Sequence, residues 1–224
     1  TGTVTQSAAI TAAGLELLGS GGTYTLTNTG NAITTLAGNT GTVSFVENSG
    51  FAIGTVNTVG FTAATSLTLS STGTVTQSNL ISAPSLLLLG TNGIYTLTNT
   101  SNAITTLAGN TGTVSLVENS GFAIGTISGT VGLTTSGNTT LSSTGTVTQS
   151  AAITAAGLEL LGTGGTYTLT NTGNAITTLA GNTGTVSFVE NSGFAIGTVN
   201  TAGFTATTSL TLSSTGTVTQ SNLI

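Results

Sequence analysis

The carboxylates of this 224-residue chain are five glutamates, Glu16, Glu47, Glu118, Glu159 and Glu190, in a sequence without Lys, Arg, His, Asp or Cys. Paired acids are the one catalytic device such an alphabet allows, one carboxyl group protonated and the other ionised. Their spacing does not favour it. Glu47, Glu118 and Glu190 recur at equivalent positions of a repeat, and Glu16 and Glu159 recur two repeats apart with Leu87 between them. At three turns per repeat, the first set would stand roughly 14 Å apart along a stack of β-turns. No cation is present to steer a substrate, so the expected role of Glu47 and its equivalents is at corners, accepting backbone N–H bonds or keeping the chain soluble.

Other chemistries fall away for similar reasons. Without cations the chain cannot neutralise phosphates or anionic lipid, which argues against nucleic acid as a partner and against attachment to membranes. Without Cys, His or Asp there is neither a thiolate nor an imidazole metal site, nor a nucleophile–base pair, and no cofactor or metal is expected. A calcium-binding repeat of the GGxGxD type needs an aspartate that is absent. Gly19 to Gly22 reads GSGG, but no lysine follows to complete a phosphate cradle, so corner glycines are the better reading. Asn99 and Asn138 begin N-glycosylation sequons. No apolar run approaches the length of a membrane span; the longest, around residues 86–89, is preceded by Pro84 and Ser85.

The elements that position these residues come from repeats. TGTVTQS begins at Thr1, Thr72, Thr144 and Thr215. Residues 1–71 return at 144–214 with three changes, Ser20 to Thr163, Val59 to Ala202 and Ala64 to Thr207, and residues 215–224 copy residues 72–81. The units are therefore 1–71, 72–143, 144–214 and the start of a fourth at 215–224, expected to form one continuous segment of a longer array. Low complexity alone would suit disorder. Yet 37% of residues are hydrophobic, net charge is only −5, and apolar residues alternate with polar ones, as in Thr23-Tyr24-Thr25-Leu26-Thr27. Thr, a quarter of the chain, is suited to strands.

Aligning LTL with LEL and VSF divides each unit into three turns of about 24 residues with three short strands each. The expected fold is all-β, a parallel β-solenoid with an apolar lumen; a β-sandwich fits near-identical periods poorly. The one-residue insertion at residues 127–131 falls in a corner, where it leaves strand register intact. Two surface features follow. Thr3, Thr5, Thr23, Thr25 and Thr27 could form a flat hydroxyl face, the kind an ice- or carbohydrate-binding solenoid presents, although Phe51-Ala52-Ile53-Gly54 interrupts it. Leu87 and Leu89 are expected to point outward, either as a stripe for lateral association or as a local cover over a neighbouring turn.

Residues 137–162, GNTTLSSTGTVTQSAAITAAGLELLG, resemble the repeats of filamentous-haemagglutinin-like exoproteins, large bacterial surface proteins often exported by two-partner secretion. The resemblance spans the whole chain and rests on period and composition. It implies a right-handed parallel β-helix and, with it, the shaft of an extracellular, cell-surface fibre or adhesin. The residue alphabet leads us to expect no enzyme activity, and open strand edges lead us to expect self-association end to end, with Leu87 and Leu89 the candidate lateral contact; any host or surface glycans would be met by other parts of the parent protein.

Overall fold

The computed structural model describes residues 2–224; Thr1, where the first repeat unit begins, lies outside the described residues. The chain is all-β, and the described residues contain no helix. It winds into a parallel β-solenoid of about ten turns in which paired strands lie about 21 residues apart. Seventeen strands belong to one sheet, and every pairing within it is parallel. Strand formation follows from Thr, Val and Ile on a pleated surface, and closure from Gly, Asn and Ser at the corners.

Inward residues stack in columns. One runs Val43, Leu67, Leu86, Leu107 and Ile124, all at most 1% exposed. A second runs Leu26, Phe45, Leu69 and Leu88, and the T-shaped pair Phe45–Phe51, with ring centroids 5.3 Å apart, joins neighbouring columns. The buried tyrosines Tyr95 and Tyr167 point their hydroxyls at corners, where Tyr95 donates to the Leu69 and Leu89 carbonyls and accepts from Ser71 N–H.

The turn is shorter than the sequence pattern predicts, and its steps are unequal: Thr35 pairs with Ala52 on the turn that follows it, whereas Val114 finds its partner on the following turn further along the chain, at Thr139. Two of the expected alignments hold, VSF with LTL (Val43 on Leu67) and LTL with the next unit's LEL position (Leu67 on Leu86). A third does not: Leu15-Glu16-Leu17 lies against Leu36-Ala37-Gly38, and it is Tyr24 that meets Val43. The long steps contain loops that leave the sheet, so equal division of the repeat unit misplaces the strands between them. A second consequence is that unit and turn do not coincide. The column through Val4 continues to Tyr24, Val43, Leu67 and Leu86, whereas the equivalent Val75 stacks on Phe51 and under Tyr95. Equivalent residues of successive units therefore do not lie above one another.

Because the lumen is close-packed, truncating Leu88 to Ala should cost about 2–5 kcal/mol in urea unfolding, while Thr96→Ala on the exposed side of a strand should stay within about 0.5 kcal/mol.

Candidate functional site

Three sets of polar residues recur in the folded chain. The first is the trio expected at corners. Glu47, Glu118 and Glu190 are each 0% exposed. The Glu118 carboxylate accepts Gly121 N–H at 2.6 Å and the Ser120 hydroxyl at 2.6 Å. Glu47 receives Ser49 N–H at 3.2 Å, Gly50 N–H at 2.6 Å and the Ser49 hydroxyl, and Glu190 is held in the same way by Ser192 and Gly193. The sequence E-N-S-G thus folds back on its own carboxylate. The backbone-accepting role is the one observed; being buried, these groups add nothing to the surface.

The second set has no counterpart in the sequence-based reading. Asn31, Asn102 and Asn174 are 3–5% exposed, each paired with a glutamine 25 residues earlier, Gln6, Gln77 or Gln149. Asn102 Nδ2 donates to Gln77 Oε1, Leu97 O and Val117 O, and its Oδ1 accepts from Gln77 Nε2 and Ile81 N. One amide ties three levels of the stack. The recurrence of Gln and Asn at this fixed spacing is the signal by which the sequence announces them. Among the described residues, no buried side-chain polar atom lacks a partner, which is what a native interior requires.

The third set is outside the lumen. At Gly54 the chain leaves the ladder and at Gly60 it returns, closed by Gly60 N–H to Gly54 O at 2.8 Å. The loop between, a strap over residues 55–59, crosses the wholly buried Ala37 and reaches Glu16. Glu16 accepts Thr58 N–H at 2.5 Å, Asn57 N–H at 3.3 Å and Asn57 Nδ2 at 2.9 Å. In the third unit Glu159, 1% exposed, receives Thr201 N–H at 2.6 Å, Asn200 Nδ2 at 2.7 Å and the Thr140 hydroxyl at 2.9 Å. Val56 and Val199 lie 3.0 and 2.9 Å from where a Cβ on Gly14 or Gly157 would stand, so a side chain there would press against the strap valine. The return glycine Gly132 has φ +74°, and an added Cβ would stand 2.1 Å from Ala152 O.

The middle unit carries the same strap in different chemistry. Residues 126–131 form a small antiparallel hairpin whose two central residues, Ser128 and Gly129, have φ of 49° and 84°, as a type I′ turn requires. The extra residue of this unit completes that turn. Ile127, 7% exposed, packs with Ala108 and Leu87 in a cluster apart from the lumen, flanked by Leu89. Leu87 does point away from the lumen as expected, but it is only 3% exposed. It is a seat beneath its own loop, which removes it from any surface stripe; Leu89 remains half-buried.

The hydroxyl face is short. Thr3 pairs with Thr23, and Thr5 stacks through Thr25, Ser44 and Thr68 before the column ends at Leu87 under the strap. Thr5, Thr25 and Thr27 are exposed and Thr23 half-buried. Four rungs span about 14 Å. The next such run, Thr76, Thr96, Ser115 and Thr140, ends at Glu159 in another column. Of the sequons, Asn99 lies in a turn with its Oδ1 accepting Ser101 N–H, and Asn138 opens a ladder strand, Asn138–Ser142.

Among the described residues, no two glutamate carboxylates share a hydrogen-bond partner. The described residues contain no cluster of three metal-ligating side chains. Comparison of the chain with protein-family models, curated proteins and solved structures gives no match.

The straps are also titratable. Hydrogen bonds from Asn57 and Thr58 hold the Glu16 carboxyl down at about 2 against an ordinary 4.5. At Glu159 burial pushes upward, but the donors Asn200, Thr201 and Thr140 outweigh it and leave the group below its ordinary value. A depressed value means the bonds stabilise the strap fully above the ordinary carboxylate range and are lost as pH falls through the folded value. Amide shifts of Thr58 followed by NMR should therefore titrate near pH 2, with Ile127 flat; a Thr58 midpoint near 4.5 would contradict the geometry. Separately, Glu118→Ala strands buried donors at Gly121 and Ser120 and should cost about 1–3 kcal/mol by denaturant unfolding.

Proposed function

We propose that the chain is a structural segment of a long secreted surface fibre: the shaft of an adhesin, a stalk or a sheath filament. The observation that carries this reading is the unbroken parallel ladder running through every unit, with the Gln–Asn pairs tying successive turns and the corner glutamates closing their own. Its resemblance to filamentous-haemagglutinin-like exoproteins points the same way, and with it come an extracellular location, right-handed winding and three strands per turn. At about 21 residues per turn, the unit spanning positions 1–71 makes roughly three and a third turns.

The work of such a segment is mechanical. A backbone ladder with a packed lumen is stiff, and it extends by adding turns. Where its terminal turns present open strand edges, further turns or a second copy can pair with them, giving end-to-end growth. A second reading, ice or carbohydrate binding, has the exposed hydroxyl run of Thr5 and Thr25 in its favour.

Ten turns at about 4.8 Å give a rod about 48 Å long. Small-angle scattering of the purified chain should report multiples of that length with a constant cross-section, and oriented fibres should give a meridional reflection near about 4.8 Å. Growth in diameter without growth in length would overturn the end-to-end assembly. Thermal hysteresis or retention on a glycan array would favour the second reading over the first.

A further inference from the structure

Near-identical repeats create a hazard for their own folding. Residues 102–126 match residues 31–55 except for Leu116 in place of Phe45. A folding chain could therefore lay the second unit's turn on the strand Thr11–Leu26 with its ladder and corner residues unchanged. Tandem repeats commonly misassemble in this way. What differs between the units lies immediately beyond: the strap and the residues on which it closes.

We propose that each strap and its seat form a matched pair, in two mutually exclusive chemistries, and that their alternation along the chain keeps neighbouring units in register. In the polar version a glutamate, Glu16 or Glu159, faces two backbone N–H groups or an N–H and an asparagine amide from the loop, above a glycine that admits a valine. In the apolar version Leu87 faces Ile127, and Ser85 stands where the sister units have Gly14 and Gly157. Exchange fails in both directions. The middle strap placed over Glu159 would remove the Asn200 amide from a carboxylate that is 1% exposed, leaving a buried charge short of donors. A polar strap placed over Leu87 would put an exposed asparagine, as at Asn57 and Asn200, where Ile127 sits, and leave the leucine without its apolar cover. Specificity here comes from the penalty on the wrong partner. The same logic explains why the leucine, the serine, the isoleucine and the added residue occur together in one unit. The inference concerns folding register and holds whether or not the rod is a surface fibre.

The test is a swap cycle in the full chain. One variant carries Leu87→Glu, a second replaces residues 126–131 by the first unit's loop Thr-Val-Asn-Thr-Val together with Ser85→Gly, and a third combines all the changes. Hydrogen exchange at Gly132, whose N–H closes the middle strap onto Gly125 O at 2.8 Å, reads strap closure. Each mismatched variant should exchange about tenfold faster or more at Gly132 with the lumen amides unchanged, and the combined variant should return towards wild type. Unaltered protection in the Leu87→Glu chain, or a combined variant no better than the product of the two mismatches, would overturn the matched pair. The combined chain has three like straps, so on refolding from urea it should yield more misassembled or oligomeric material by size exclusion than wild type. Refolding as clean as wild type would overturn the role in register.

Discussion

Every residue in a parallel solenoid has as its lateral neighbour the residue one turn away, and the backbone ladder obliges each level to satisfy the level beside it. That single constraint orders the rest of the molecule. The lumen takes columns of Leu, Ile, Val and Phe because apolar side chains stack on apolar side chains without regard to identity. The corners are harder, since they bury polar backbone with no helix or second sheet to cover it. Here they are closed by Asn102 and its equivalents, by the tyrosine hydroxyls, and by glutamates that bind the N–H groups of their own turn.

The carboxylates show how far this constraint can be pushed. In a chain with no cation, a buried acid has only hydrogen-bond donors to compensate its desolvation. Glu118 and Glu159 obtain them at very different distances along the chain, one from residues two and three positions on and the other from a loop 41 residues away. A cation at any of these positions would have been simpler locally. On the outer faces of a rod of like units, however, unpaired like charges facing one another across adjacent turns repel, and hydroxyls do not.

Much of the fold is legible in the sequence because its signals are local. Alternation in Thr23-Tyr24-Thr25-Leu26 marks a strand with one buried face, the TGTVTQS repeat marks a tandem array, and together they imply a solenoid. The turn length is not legible, because counting residues cannot separate those that climb the ladder from those that leave it; the strap at 55–59 disappears into a strand-and-corner average. Periodicity assigns Leu87 correctly to the outer side of its strand, but it says nothing of a loop that returns from as far along the chain as Ile127 to cover it. The Gln–Asn pairs are visible only as a recurrent spacing, and uncharged amides carry no obvious chemistry to draw attention to it. The corner glutamates are readable as backbone acceptors, and E-N-S-G contains the reason.

The mismatch between the repeat unit and a turn of about 21 residues has a bearing on how such a rod meets its surroundings. Were the repeat a whole number of turns, each motif would recur along one edge and the rod would have a front and a back. With a remainder of about a third of a turn, successive straps and hydroxyl runs point along different bearings, like steps of a spiral stair. A body that touches the rod from any side meets the same set of motifs within a few units, and no flank is permanently blank. Monotony of sequence is thereby converted into evenness of surface.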